Sequence, residues 1–106
     1  MKRILSFKIE GYGKLSDKKV FVELPGGDPD GINFDVVGNL YVAHFGGGSL
    51  YVISPTGEIL TKVKTPGMKP TNIEFAGKDR KTLYLTEVET NSIYKTKVTI
   101  KGHSFF

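Results

Sequence analysis

The chain repeats itself with a period of about 40 residues, and this period limits its possible architectures more than any other feature of the sequence. Pro25 and Pro29 recur as Pro66 and Pro70, and the strings "GINFD", "GNLYVA" and "GSLYVIS" recur as "NIEFA", "KTLYLT" and "NSIYKTK". The opening segment matches the second half of one unit. A period of this length built from short strands is typical of the blades of a β-propeller.

Each unit divides into four short strands, which we label a to d in chain order. In the first complete unit the predicted strands cover about residues 31–36, 39–43, 49–54 and 59–64, separated by the turn-forming strings "VGN", "GGG" and "PTG". Alanine occurs only at positions 43 and 76, whereas β-branched and aromatic residues are plentiful. The fold class is therefore all-β. A β-sandwich is the main alternative, but its strands need not repeat.

The number of units predicts an incomplete ring. The strand order is c–d, then a–b–c–d, then a–b–c with an uncertain last strand, which gives about two and a half four-stranded blades. We assign a half blade to residues 1–24 and further blades to 25–65 and 66–106. Closed propellers have about four to eight blades. We therefore expect either a homo-oligomer that closes a ring or a missing companion segment of a longer protein.

Composition excludes several classes of function. The chain has no cysteine, which excludes disulfides, thiolate metal sites and a cysteine nucleophile. The net charge of +4 comes from lysines dispersed along strands, so no nucleic-acid surface is predicted. Ser49 and Ser54 lack a nucleophile-elbow context, and "FGGGS" lacks the tail of a phosphate-binding loop. No signal peptide or membrane-spanning run is recognisable, so we expect a cytoplasmic protein that does not contact membranes.

The string "PDGINFDVVGNLYVAHFGGGSLYVISPTGEIL", followed by "KPTNIEFAGKDRKTLYLTE", carries a family resemblance. The combined motif resembles the six-bladed β-propeller family of the gluconolactonase–regucalcin and diisopropyl-fluorophosphatase type. The resemblance extends from about Ile4 to Lys101 and matches roughly the last third of a typical member. It implies a divalent cation, usually calcium, in a central channel.

The resemblance also implies a role for three residues. The aspartate of the "PDG" motif, Asp30, would be a metal ligand and a catalytic residue. Asn33 and Glu74 stand where a relative has the aspartate and histidine of a second calcium site, so they are candidate metal ligands that depart from the pattern. An anionic oxygen at the channel mouth suits calcium, which takes six to eight oxygen ligands. A plain Asp-Gly turn is the alternative explanation for Asp30.

Propeller geometry places the d–a loops and the b–c loops on one face of the ring. This face would carry Asp30, His44 and Asn72, together with Thr71, Glu87 and Glu89. His44 and Asn72 are candidate substrate-binding residues, although an ordinary loop histidine and an asparagine that satisfies loop backbone explain them too. We expect Glu87 and Glu89 to be solvated, and His103 to lie in the last strand without a chemical role.

The function implied by the resemblance is hydrolysis of a lactone or related ester, with Asp30 on calcium or another divalent cation. One chain supplies too few ligands, so ligands from several chains would have to converge on one channel. Two alternatives remain open at this point: a non-catalytic interaction module and an inactive piece of a longer propeller enzyme. Whether the chain is an enzyme is not decided by its sequence.

Overall fold

The structure, a computed structural model, describes residues 2–103 and folds them into antiparallel β-sheets. The described strands are β1 (Lys2–Ile9), β2 (Leu15–Leu24), β3 (Asp28–Phe34), β4 (Leu40–Phe45), β5 (Ser49–Ile53), β6 (Ile59–Lys64), β7 (Pro70–Ala76), β8 (Thr82–Glu87) and β9 (Ser92–Lys97). They form three sheets with the orders β1–β2, β3–β4–β5–β6 and β7–β8–β9. The predicted all-β class and strand order are confirmed. No helix long and apolar enough to cross a bilayer occurs between residues 2 and 103.

The turn from β3 to β4 shows how local sequence sets a strand boundary. Asp35 is buried, and its Oδ1 accepts hydrogen bonds from the backbone N–H groups of Val37 and Asn39, both at 3.0 Å. Its Oδ2 accepts a third from Asn39 Nδ2 at 2.8 Å. Gly38 supplies the positive φ of 97° that this turn requires. The string "DVVGN" thus reverses the chain and leaves β4 antiparallel to β3.

β4 joins two hydrophobic cores because both of its faces are covered. Tyr41 and Ala43 belong to the core that packs against Ile73 and Phe75 of β7 and against Leu83 and Leu85 of β8. The alternate residues, Leu40 and Val42, belong to a second core that also contains Val22, Leu24, Tyr51 and Ile53. Successive residues of a strand point to opposite faces, so this uninterrupted apolar run fits a strand between two packed layers.

Two strand boundaries differ from the prediction. β3 begins at Asp28, before the predicted start at Gly31, so the "PDG" motif lies inside the innermost strand and not in the loop before it. β4 extends to Phe45 and includes His44, which the sequence placed in a loop. The prediction was wrong at both points because pairing between β3 and β4 extends through residues that usually form turns.

The segment after β9 returns to β3. Gly102 forms an isolated bridge with Asp35, the Val36 N–H donates to the Lys101 carbonyl at 2.9 Å, and the His103 N–H donates to the Phe34 carbonyl at 2.8 Å. His103 therefore lies beyond the last described strand, in contrast to the prediction. Within residues 2–103 the third sheet has no fourth strand.

Candidate functional site

The loops before β3 and β7 and the turns after β4 and β8 meet at one end of the sheets, which we call the loop rim. The N–H groups of Gly46 and Gly48, in the turn after β4, both donate to the carbonyl of Met68, in the loop before β7, at 2.8 and 3.1 Å. These two bonds join neighbouring sheets. The predicted grouping of d–a loops and b–c turns on one face is present in the structure.

Asp30 lies in β3 at the loop rim and is exposed. The register between β3 and β4 shifts there: Pro29 pairs with His44 and Ile32 with Val42, so two residues of β3 oppose one residue of β4. The equivalent place in the next sheet also shifts, between Pro70 and Asn72. Such bulges bend a strand and change the direction of a side chain. The bulge therefore places the Asp30 carboxylate outside the regular sheet pairing.

Gly31 lies against the neighbouring inner strand. A Cβ atom at this position would come within 2.7 Å of both the Cα of Asn72 and the carbonyl oxygen of Thr71, and within 2.2 Å of Asn72 Oδ1. Only a glycine allows this approach without displacing the backbone. The close contact brings the Asp30–Gly31 pair beside Thr71 and Asn72, which occupy the equivalent positions of the next repeat unit.

Asn72 and Thr71 already have partners in the protein. Asn72 is exposed, and its Oδ1 accepts a hydrogen bond from the Ile73 N–H at 2.9 Å. Thr71 Oγ1 shares a hydrogen bond of 2.7 Å with Thr86 Oγ1. The oxygen of Asn72 therefore satisfies strand backbone, which is the alternative that the sequence left open, and its substrate-binding role stays a prediction.

Asn33 and Glu74 occupy equivalent positions of the two inner strands, β3 and β7, but differ in solvent exposure. Asn33 is buried, and its Oδ1 accepts a hydrogen bond from the Phe34 N–H at 2.9 Å. Glu74 is exposed and pairs across the sheet with Tyr84. Within residues 2–103 no hydrogen bond joins the two side chains. Their predicted role as metal ligands is therefore not supported by a shared contact and stays a prediction.

His44 is enclosed under the loop rim. Its side chain is 2% exposed, and neither ring nitrogen has a hydrogen-bond partner within the described chain. The ring meets Tyr51 edge-on, with centroids 5.1 Å apart, and Gly47 lies so close that a Cβ there would come within 2.1 Å of Nδ1. Burial lowers the pKa of His44 below its ordinary value. The backbone of Gly27 and Gly26 raises this pKa, and the positive charge of Lys62 lowers it further.

Glu87 is also enclosed, and its carboxylate is fully hydrogen-bonded. Oε2 accepts from the N–H groups of Lys69 at 2.9 Å and Glu89 at 3.1 Å, and Oε1 accepts from the Thr90 N–H at 2.7 Å and from the Thr90 hydroxyl. Burial opposes ionisation, but the hydrogen bonds from Thr90, Lys69 and Glu89 outweigh it and lower the pKa of Glu87 to about 2. The prediction of a solvated Glu87 was wrong, since the side chain is 1% exposed. Glu89 is exposed, as expected.

His44 and Glu87 occupy the same position in successive sheets, as the match between "GNLYVA" and "KTLYLT" implies. His44 pairs with Pro29, and Glu87 pairs with Pro70. The two extra residues in the turn between β7 and β8 make the spacing between His44 and Glu87 longer than that of the equivalent prolines. The signal that was missed is a glycine facing each buried side chain, because a Cβ on Gly67 would overlap the Glu87 carboxylate and a Cβ on Gly47 would overlap the His44 ring.

The oxygen donors at the loop rim are of the type that binds the divalent cation implied by the resemblance, but they are few. Carboxylate and amide oxygens are suitable calcium ligands, but calcium requires six to eight oxygens. Among residues 2–103, no group of three or more His, Asp or Glu side chains is placed to hold a metal ion. The oxygens of Asn33 and Asn72 each already accept a backbone N–H. The oxygen donors within residues 2–103 therefore do not complete a calcium site by themselves.

Comparison with known proteins identifies the family. The family model described as "SMP-30/Gluconolactonase/LRE-like region" matches residues 1–89. The chain belongs to this family. It is 36% identical over 98 residues to diisopropyl-fluorophosphatase of Loligo vulgaris, a match that covers 89% of this chain and 31% of the relative. It is 39% identical over 71 residues to 6-deoxy-6-sulfogluconolactonase of Pseudomonas putida, covering 67% and 24% respectively.

Solved structures of the SMP-30/gluconolactonase type agree with the fold. A luciferin-regenerating enzyme superposes with a TM-score of 0.84 at 25% identity, covering 96% of this chain and 40% of that enzyme. The chain is a partial β-propeller, and the predicted family resemblance is confirmed. It spans about a quarter to a third of the length of the curated relatives described above.

Proposed function

We propose that the chain contributes the Asp30 carboxylate to a hydrolase site that acts on a lactone or a related ester. The observation that carries the proposal is the position of Asp30. Asp30 lies in the bulge at the loop rim and is exposed. The next residue, Gly31, is in close contact with Asn72 of the neighbouring inner strand. Relatives of the family are named as lactonases or related hydrolases, which supports the reaction class.

The reaction needs a nucleophilic water and stabilisation of the negative charge that develops on the lactone carbonyl oxygen. Asp30 is exposed and offers an acceptor for a proton or for a hydroxyl of the substrate. A divalent cation, when bound, would polarise the carbonyl. Further oxygen ligands would have to come from outside the described residues, and in this proposal they come from other blades.

The test compares Asp30→Asn with Asp28→Asn. Both substitutions remove one negative charge from an exposed position of β3, and the surface ion pair between Asp28 and Lys2, 3.3 Å apart, contributes little. Hydrolysis of D-glucono-1,5-lactone is followed with and without calcium on the full chain. We expect Asp30→Asn to reduce the rate by about a hundredfold or more, while Asp28→Asn stays within about twofold.

Thermal unfolding with calcium gives an independent readout. A cation that binds only the folded state raises the melting temperature, and at a concentration of 100 times its Kd it stabilises by about 2.7 kcal/mol. The shift should disappear in Asp30→Asn and persist in Asp28→Asn. Equal hydrolysis rates for the wild type and Asp30→Asn would overturn the proposal and favour an interaction module. Absence of both hydrolysis and a calcium shift in the wild type would favour an inactive piece of a larger enzyme.

A further inference from the structure

A cavity of about 260 Å³ opens between the second sheet (β3–β6) and the third sheet (β7–β9), and we call it the inter-sheet cavity. It lies between β5 and β6 on one side and β8 and β9 on the other. Its apolar walls are Leu50, Val63, Leu83, Leu85 and Tyr94. A closed apolar cavity of about 150 Å³ is enough to bind benzene. The inter-sheet cavity is therefore large enough for a small organic molecule.

Two threonines account for this space. The match of "LPG" with "TPG" puts Thr65 at the position of Leu24, and the match of "SLYVIS" with "SIYKTK" puts Thr96 at the position of Ile53. Leu24 and Ile53 are both 0% exposed and fill the core between the first sheet (β1–β2) and the second. Thr65 and Thr96 line the inter-sheet cavity instead. Threonine is smaller than either residue, so the second pair of sheets has space where the first pair has aliphatic carbon.

The cavity is a property of the repeat units that the chain contains. All of its lining residues lie between Leu50 and Thr96. Among residues 2–103, β6 is the outermost strand of the second sheet, yet no apolar residue of β6 belongs to the core between the first and second sheets. A strand on the outer edge of β9 would stand to β9 as β6 stands to β5. Such a strand would therefore leave the cavity unfilled.

The charged residues that line the cavity are both cations. Lys64 and Lys95 are exposed, and neither forms an ion pair within residues 2–103. No Asp or Glu side chain of the described chain is among the lining residues. Lysine keeps its ammonium group in water while its carbon stem covers apolar surface. The cavity thus combines an apolar interior with a positively charged mouth, which complements a molecule with an apolar tail and one negative group.

We propose that the inter-sheet cavity binds a small hydrophobic monocarboxylate, such as the anion of a medium-chain fatty acid. The tail lies against Leu83 and Leu85, in the space that Thr65 and Thr96 leave, and the carboxylate lies near the two lysines. Small-molecule sites commonly combine apolar walls with a few polar groups that orient the ligand. None of the candidate residues of the hydrolase site lines this cavity. The inference therefore does not depend on the proposed function.

The first test titrates the full chain with butanoate, hexanoate and octanoate and follows its backbone amide signals by NMR. Each methylene that becomes buried should raise the affinity by about fourfold. The largest shifts should occur at Leu83, Leu85 and Thr96. Absence of shifts at these residues with millimolar octanoate, or an affinity that does not change with chain length, would overturn the inference.

The second test fills the cavity with the side chains of the first pair of sheets. The double variant Thr65→Leu/Thr96→Ile should bind octanoate at least tenfold more weakly than the wild type. Thr65→Val/Thr96→Val is the matched control, because it also removes both hydroxyl groups, including the one that donates to the Gly67 carbonyl at 2.7 Å, but adds almost no volume. Its affinity should stay within about threefold of the wild type.

Equal octanoate affinity in the filled variant and the valine control would overturn the inference. If the filled double variant does not fold, Thr96→Ile is compared with Thr96→Val in the same way, because Thr96 is exposed and tolerates a larger side chain more easily.

The third test concerns the charge of the ligand. Octanoate should bind the wild type at least threefold more tightly than octanamide, which has the same tail and no charge. This preference should disappear in Lys64→Gln/Lys95→Gln and persist in Lys18→Gln/Lys78→Gln, which removes two exposed lysines that do not line the cavity. Equal affinity of the wild type for octanoate and octanamide would overturn the assignment of a carboxylate ligand.

Discussion

At the scale of single residues, the contact between Gly31 and Asn72 sets the spacing of the two inner strands. We expect Gly31→Ala to destabilise the fold by about 1–3 kcal/mol, because the new methyl group would displace Thr71 and Asn72 backbone atoms. Urea unfolding measures the loss. Asn72→Ala in the same chain should not restore stability, because it leaves the Thr71 carbonyl and the Asn72 Cα in place; a full rescue would show that the Asn72 side chain is the only obstacle.

Glu87 makes stability depend on pH in acid. Its pKa is lowered from 4.5 to about 2 in the folded protein. A group with a lowered folded-state pKa stabilises the fold above its ordinary pKa, and this contribution is lost as the pH falls through the folded-state value. We expect the stability difference between the wild type and Glu87→Gln to shrink as the pH falls from about 4.5 to about 2. Melting temperatures of the two proteins across this range check it, and a difference that stays constant with pH would contradict it.

The residue types and their spacing predicted which residues lie at the loop rim, but not whether their side chains are buried. The repeat and the family motif placed Asp30 and Asn72 at the loop rim, because strand order fixes which loops meet there. The burial of His44 and Glu87 was missed because glycine-rich loops from distant positions in the sequence close over both side chains. Hydrophobic pattern reports burial against neighbouring strands and carries little information about loops that fold back over a polar side chain.

At the scale of strands, pairing and burial predict an order of hydrogen-exchange protection. β4 is paired on both edges and covered on both faces, whereas β1 and β2 pair only with each other among residues 2–103. Two-stranded sheets are marginal on their own. We expect β4 amides to exchange at least a hundredfold more slowly than those of β1. Similar rates in the two strands would indicate that the molecule opens only as a whole.

The repeat period predicted the order of the strands well and their ends less well. Turn-forming residues such as Pro29 suggested that β3 begins only at Gly31, yet β3 pairs with β4 from Asp28 onward through a bulge. A bulge is produced by contacts between strands, and composition alone does not indicate it. The same holds for β4, which extends through His44 because that residue pairs with both Pro29 and Ser49.

At the scale of the whole molecule, the sheet that contains β4 separates two cores that should respond independently to substitution. Ile53 lies in one core and Ile73 in the other. Each Ile→Val substitution should cost about 0.5–1.5 kcal/mol. In the double variant the two costs should add to within about 0.5 kcal/mol, as for distant sites without shared partners. Urea unfolding of the two single variants and the double variant measures this. A larger deviation would mean that β4 couples the cores.

The return of the chain after β9 also determines how the protein would bear a mechanical load. Residues 101–103 are hydrogen-bonded to Phe34, at the end of β3, and to Val36 just after it. They are also bonded to Arg80, in the turn before β8, whose Nε donates to the Gly102 carbonyl at 2.9 Å. A force applied at residue 103 therefore acts on these few bonds before it reaches β9. Under tension, the hydrogen bonds of residues 101–103 should break first, while the sheets are still intact. A force-extension trace would record this event as a short step ahead of the main rupture.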